Sequence, residues 1–387
     1  MNKPVHVALL HAYSTRNSGD GLLVDLSIGL LRDAFGPHVR VSVVAADPAS
    51  FSHLPDVYPA PVLAVRGAAR IAQASAAPLP LVLNPSLGAL RDLLSRVDLI
   101  VGVGGGYLRA RSATEALKLE AGHLLQMRLA RAARKPTVYL PQSIGPAASR
   151  SWLAAHMRTM LASFDDVFVR DDRSAAFLAG NANTRRTPDL AVLEFGRGRA
   201  GFVARRPAPD AAPEHVAIVL RKPPAWSAAQ RTRYHASTGA LIERLCTTCR
   251  LTFAVQSTGR GNDDSAYYRS LGIDAVHSLK DVLAHDTPDA VVSVRLHGAL
   301  ESILHGVPAY HLSYERKGFG AYADLGVADW VANAADFDAA AVAQTLLAPG
   351  ALDRFRDATR GGLARLQSAR DTLVAALHHA VYRPCAR

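Results

Sequence analysis

Several short apolar runs end on groups that can grip an anion or move a proton. The richest such point is Ser293-Val294-Arg295-Leu296-His297-Gly298-Ala299, where the run Ala290–Val294 stops and a helical pattern begins near Gly298. First-turn amides and the helix dipole favour negative charge at such a place. Arg295 adds a planar fork shaped for carboxylate or phosphate, and a histidine such as His297 can trade a proton near neutral pH. Gly298 joins them as a binding position. Arg221-Lys222 follows the run His215–Leu220, and Tyr314-Glu315-Arg316-Lys317 follows Ala309–Leu312, so Arg221 and Lys317 bring further positive charge to the same rim.

Three other points carry weaker signals. Asn17-Ser18-Gly19-Asp20-Gly21 precedes a helical stretch. Asp20 there suits a helix N-cap; the alternative is that the glycines let the backbone approach a ligand, with Asp20 near the cleft. Gly102-Val103-Gly104-Gly105-Gly106 follows the run Leu99–Val101. Gly104, Gly105 and Gly106 form either a tight turn or a loop whose bare amides meet a substrate. Tyr107 breaks the spacing that a dinucleotide fingerprint needs. Pro141-Gln142-Ser143-Ile144-Gly145-Pro146 offers Gln142 and Ser143 as hydrogen-bonding groups, and Arg170-Asp171 further on reads as a structural ion pair.

No metal constellation is legible. His378-His379 lacks a carboxylate at a useful spacing, and Cys246 and Cys249 stand without a second pair, as buried thiols would. No GxSxG nucleophile elbow occurs.

The elements that must position these groups alternate along the chain. Strands are predicted at Val5–Leu10, Val39–Ala45, Leu99–Gly102, Thr137–Leu140, Asp166–Val169 and Leu190–Leu193, with helices at Leu22–Phe35, Thr114–Arg134 and Trp152–Phe164. The stretch 197–214, rich in Arg, Ala and Pro, has no apolar period and reads as a linker. Alternation resumes with strands at His215–Leu220, Leu251–Gln256, Ala290–Val294 and Ala309–Leu312, a long helix Ala228–Cys249, and a helical end at Leu352–Val381. Val65–Pro80 reads as an irregular insertion. The expected class is α/β, with two Rossmann-like domains whose parallel sheets face a central cleft: residues 1–200, residues 212–350, and a C-terminal helical segment 351–387. Ligands in such sheets bind beyond the carboxyl ends of the strands, which is where the motifs fall.

Composition narrows the partners. Of 387 residues, 49% are hydrophobic and 20% charged, an ordinary globular profile. The net charge of +11 suits anionic partners. Basic residues are scattered, and no aromatic-interleaved basic stretch of the kind that stacks bases occurs, so no nucleic acid is expected. Arg128, Arg131, Arg134 and Lys135, at helical spacing, read as a solvated face or a membrane or phosphate patch. No apolar run reaches the length of a membrane span, and the start of the chain lacks a signal-peptide pattern. A cytoplasmic protein is expected, with peripheral contact to an anionic membrane.

Taken in order, NxGD, GxGGG, QSIGP, VRDxxS and SxRLHG, followed by GVP and a lysine-bearing loop, the sequence resembles the polysaccharide pyruvyltransferases from residue 11 to about 330. The resemblance implies a fold like the GT-B glycosyltransferases. It implies transfer of the enolpyruvyl unit of phosphoenolpyruvate onto a sugar, as a ketal across two hydroxyls, with release of phosphate. The acceptor would be a polysaccharide or lipid-linked oligosaccharide, and no cofactor is implied beyond phosphoenolpyruvate itself. The family's RLH element falls on Arg295, Leu296 and His297, and its basic residue after the first strand of the second domain falls on Arg221. His297 then becomes the candidate for one proton transfer, with Asp20 as its partner. Arg221, Arg295 and Lys317 would neutralise the donor. A GT-B glycosyltransferase using a nucleotide sugar is the other reading, and Glu301, one turn into the His297 helix, is the carboxylate a ribose would need.

Overall fold

The computed structural model describes residues 3–61, 85–147, 151–197, 212–259 and 262–382. It divides into two units. The first comprises Met1–Thr15, Leu23–Leu190 and Asp371–Arg387, and the second Arg16–Leu22 and Ala191–Arg370. The change of unit after Leu190 falls before the 197–214 linker, of which 198–211 lies outside the described residues. The C-terminal segment is helical over its described residues, as Ala351–Gly361 and Leu363–Tyr382, and the change of unit at Arg370 falls within the second of these helices. The Asn17–Asp20 motif, expected on the first domain, belongs to the second unit.

The first unit is built on an eight-stranded sheet. Its strands are β1 (His6–Ala12), β2 (Arg40–Ala45), β3 (Val57–Pro59), β4 (Leu99–Gly102), β5 (Gly105–Ala110), β6 (Thr137–Ala147), β7 (Asp166–Val169) and β8 (Thr184–Arg186), in the order β3-β2-β1-β4-β6-β7-β8, with β5 on β6. All pairings are parallel. β1 and β4 are covered on both faces, which is why they read as unbroken apolar runs. Helices Pro85–Arg96, Leu125–Ala133 and Ser151–Ala162 supply Leu90, Leu94, Met127, Met157 and Leu161 to the core.

The second unit carries a six-stranded parallel sheet of β9 (His215–Val219), β10 (Arg250–Val255), β13 (Val276–Ser278), β14 (Ala290–Ser293), β15 (Ala309–Ser313) and β16 (Val331–Asn333), in the order β13-β10-β9-β14-β15-β16. A two-residue antiparallel ladder, β11 (Thr258–Gly259) with β12 (Asn262–Asp263), stands apart from it. The long helix Ala228–Cys246 begins on a capping box of Ser227 and Gln230.

Three expectations are corrected. Leu190–Leu193 is not a strand but the start of the helix Leu190–Gly196. Leu190, Ala191, Val192 and Leu193 are all buried, and a short run apolar on every side has no period to separate the two states. The helix expected at Thr114–Arg134 is interrupted: Ala113–Leu119 and Leu125–Ala133 flank a π-helical turn at Glu120–Leu124. Of the paired thiols expected to be buried, Cys246 is exposed, and only Cys249 is buried, donating to Pro213 O at 3.0 Å. The Val65–Pro80 insertion lies outside the described residues.

Candidate active site

β14 carries the chain to Ser293, and the helix Leu296–Leu304 begins two residues later with Arg295 as its N-cap residue. The handover is fixed locally. Ser293 Oγ accepts from Arg295 N at 3.1 Å and donates to Arg295 O at 2.8 Å. Gly298 is required here by close approach, since a Cβ on it would stand 2.9 Å from Ser293 Oγ and 3.1 Å from Gln256 Oε1. Its place is thus to seat the helix against β14 and the end of β10.

Arg295 is 6% exposed and already occupied on one edge. Its Nε donates to Asp264 Oδ2 at 3.1 Å and its Nη2 to Asp264 Oδ1, Asn262 O and Asn262 Oδ1. Nη1 takes part in none of these bonds. Asp264, 1% exposed, also accepts from the backbone of Gln256 and Ser257. Burial pushes its carboxyl above the usual range, and Arg295 and the amides hold it down against that. Asn262 Oδ1 is shared with Arg221, whose Nη2 reaches it at 3.3 Å. The Arg221 guanidinium lies 4.4 Å above the centre of the Tyr314 ring, a cation–π contact that fixes its plane. Lys317 stands at the start of the next helix, 3.2 Å from Glu315. Arg221, Arg295 and Lys317, read from three different strand ends, therefore line the C-terminal edge of one sheet.

The Asn17–Asp20 segment completes this edge within the same unit. Ser18 N donates to Gln256 O at 3.0 Å, Thr258 N to Arg16 O at 2.9 Å, and Asn17 bridges Ser257. Gly19 lies directly on the His297 ring, because a Cβ there would come within 2.8 Å of His297 Cβ and 2.9 Å of its Nδ1. Asp20 accepts from Asn17 Nδ2 at 2.9 Å. Burial raises the Asp20 carboxyl above its ordinary value, while His297, Asn17, Lys317 and Arg295 pull it back. A carboxyl made reluctant to ionise beside an imidazole is a pair able to share a proton. Asp20 and His297, far apart in sequence, are thus brought together near Arg295 and Lys317.

The structure places Gly104, Gly105, Gly106 and Ser143 in the first unit, apart from this cluster in the chain's division. Ser143 Oγ donates to Asp171 at 2.7 Å and accepts from Arg170 Nε at 2.9 Å. Arg170 does not pair with Asp171 as expected. It pairs with buried Asp189, while Asp171 caps the helix Asp172–Phe177 through Ser174 N.

Sequence reasoning passed over Asn262 and Asp264 and gave Tyr314 no role of its own. The adjacent Asn-Asp-Asp after β10 obeys the strand-end rule, but only the fold shows that Asp264 turns inward to Arg295. Glu301 is 7% exposed and lies against Ser18 and Gln256. Burial raises its carboxyl above the ordinary value. The native state therefore holds this proton to higher pH than the unfolded chain does, and stability from this group falls as pH rises through the raised value. Glu301→Gln should raise the melting temperature at neutral pH, and the gain should vanish below about pH 4, where both states are protonated. Thermal melts of both proteins across pH check this.

Two Rossmann-like units on parallel sheets define a GT-B-like α/β fold. Similar solved structures include Anabaena Alr3699/HepE in complex with UDP-glucose, at 13% identity over 97% of this chain and 98% of that one, with a TM-score of 0.50. An α,α-trehalose-phosphate synthase (UDP-forming) from Burkholderia vietnamiensis matches at 13% identity over 100% and 99%, TM-score 0.50. MnaA of S. aureus, in a co-structure with UDP, matches at 11% over 96% and 95%, TM-score 0.50. Likeness at such identities shows the fold alone. No curated protein matches the sequence. The chain belongs to the polysaccharide pyruvyl transferase family, whose model matches residues 17–316. That span contains Asp20, Arg221, Asn262, Asp264, Arg295 and His297 and ends one residue before Lys317. The protein is accordingly an enzyme of pyruvyl transfer to polysaccharide. Among the described residues no group of three or more His, Cys, Asp or Glu could hold a metal ion, and no helix is long and apolar enough to cross a membrane.

Proposed function

We propose that the second unit binds phosphoenolpyruvate and that the enzyme builds a pyruvate ketal on a sugar. The observation that carries this reading is the convergence of Arg221 and Arg295 on Asn262 Oδ1 beside the Asp20–His297 pair. Phosphoenolpyruvate carries a carboxylate and a phosphate. Arg221, Arg295 through Nη1, and Lys317 supply cations for both, and the amides at the start of the helix Leu296–Leu304 add a partial positive charge. Ketal formation adds one sugar oxygen to the donor's C2 while a proton arrives at its methylene carbon. A second hydroxyl oxygen then replaces the phosphate at C2. One hydroxyl proton ends on the new methyl group and the other leaves with phosphate. His297 and Asp20 are assigned to these transfers.

The sugar acceptor is assigned to the first unit, where Gly104, Gly105, Gly106 and Ser143 lie. A lipid-linked oligosaccharide suits the excess of positive charge, +11 over the chain, which would draw the enzyme to an anionic leaflet on its cytoplasmic side. The nucleotide-sugar reading is less well supported, because Glu301, its candidate ribose ligand, is buried against Ser18 and Gln256. Thermal melts separate the two. Phosphoenolpyruvate should raise the melting temperature and uridine diphosphate should not, since a ligand stabilises the native state it binds. With a competent sugar, phosphate should be released. Stabilisation by uridine diphosphate alone would overturn the proposal.

A further inference from the structure

The C-terminal end of β1 in the first unit holds a second cluster of polar and aromatic side chains. His11 sits there, 2% exposed, with φ of 70°, in the left-handed region that few non-glycine residues adopt. His11 Nε2 meets Tyr139 Oη at 2.8 Å, and His11 Nδ1 meets His123 Nδ1 at 3.2 Å. Gln126 Oε1 accepts from His11 N at 3.2 Å. Burial lowers both imidazoles below their ordinary value, His123 to about 4. Both are therefore neutral, each with one donor and one acceptor nitrogen.

His123 is presented by the π-helical turn Glu120–Leu124, a distortion frequent at functional sites. Its ring stacks on Tyr107, centroids 4.6 Å apart and planes 25° apart, and both residues keep part of their surface in solvent. Tyr107 follows the glycine loop at the start of β5. Its hydroxyl donates to Val103 O at 2.9 Å and accepts from Gln142 Nε2 at 2.8 Å. Under the same loop two buried polar atoms have no hydrogen-bond partner among the described residues: Gln142 Oε1, on the amide that holds Tyr107, and Arg170 Nη2. Arg170 Nη2 lies 3.3 Å from where a Cβ on Gly106 would stand, so the loop is bare just above it.

A stacked aromatic wall, a neutral imidazole chain, and a buried donor and acceptor under a side-chain-free loop suit a ligand with one apolar face and several hydroxyls. We propose that Tyr107, His123, Gln142 and Arg170 form a pyranose site in the first unit, with the Tyr107–His123 wall against the sugar's apolar face and His123 bonded to a hydroxyl. His11 and Tyr139 act as positioning residues that fix the His123 ring. The proposal rests on the acceptor reading above and names the residues that carry it.

Saturation-transfer NMR on the full chain with methyl glycosides of glucose, galactose and mannose tests it. At least one glycoside should bind saturably to the wild type. His123→Ala should weaken that binding about tenfold, the scale of one lost hydrogen bond and a ring contact, while stabilisation by phosphoenolpyruvate is unchanged. Tyr107→Phe keeps the ring and the core packing and should weaken binding less, so it serves as the folded control should His123→Ala melt early. The site is disproved when none of the three glycosides binds the wild type, or when both variants bind as the wild type does. Phosphate release separates this from the donor reading. Sugar-dependent release unaffected by His123→Ala sinks the pyranose site alone. Glycoside binding lost in His123→Ala, with no stabilisation by phosphoenolpyruvate in the wild type, sinks the donor reading alone.

Discussion

Asp264→Ala should destabilise the protein by about 3–5 kcal/mol, because it leaves the Arg295 charge buried without its partner. Asp264 is 1% exposed and Arg295 6%, so water cannot compensate the guanidinium. The same change also frees the amides of Gln256 and Ser257, which hold the chain where the Asn17–Asp20 segment attaches. Chemical denaturation of both proteins measures the loss. A double variant separates stability from chemistry. Asp264→Leu with Arg295→Met removes both charges together, and such exchanges are often neutral or stabilising. It should therefore recover much of the stability while donor binding stays lost. A double variant that binds phosphoenolpyruvate normally would show that Arg295 serves only to pack the strand end. Arg295→Lys keeps the charge but cannot hold both Asp264 oxygens and Asn262 in one plane, so it too should weaken donor binding.

What could be read from the sequence follows from how each element is buried. β1, β4, β9 and β14 are covered on both faces, and their apolar runs stand out. β3, β8, β13 and β16 are three residues long, too short to show a period. β5 begins with two glycines and was hidden inside what reads as a loop. Motif residues at strand ends were legible because parallel α/β sheets collect ligands there. Arg221, Arg295, His297 and Lys317 all follow this rule. The partners that restrain them were not legible. Asn262 and Asp264 act through direction, one toward two guanidiniums and one toward the core, and direction is not written in residue type. The same limit hid His11, His123 and Tyr107, which lie far apart in the chain and meet only when β1, the π-helical turn and β5 assemble.

The placement of Asp20 shows the other side of this limit. Its sequence position suits a helix cap, and it does lie in the first turn of the helix Ser18–Phe35. Yet its carboxylate takes a hydrogen bond from Asn17 and feels His297, Lys317 and Arg295. A residue early in the chain is thus held in the later unit, because Ser18 and Asn17 dock on Gln256 and Ser257, just beyond β10. The glycine at position 19 makes this docking possible, as any side chain there would strike His297.

His297→Ala should cut turnover by about 10²-fold or more, the range of a positioned acid or base, with the fold retained. His297 is half-buried, and its ring rests on Gly19 rather than filling the core. His297→Gln is the sharper variant, since Gln can keep a hydrogen bond to a ligand but cannot carry a proton between states. With a proton-transfer role, both variants lose turnover alike while the Michaelis constant for phosphoenolpyruvate stays near wild type, the signature of a contribution made in the transition state. A Gln variant near wild-type turnover would make His297 a positioning residue and leave Asp20 as the proton carrier. Gly19→Ala then tests the geometry without touching either group. The added methyl would stand 2.8 Å from His297 Cβ and 2.9 Å from its ring Nδ1, so it must push the side chain away, and turnover should fall toward that of His297→Ala although both candidate groups remain. Full activity in Gly19→Ala would mean that the ring's position against the Asn17–Asp20 segment is not what the reaction needs.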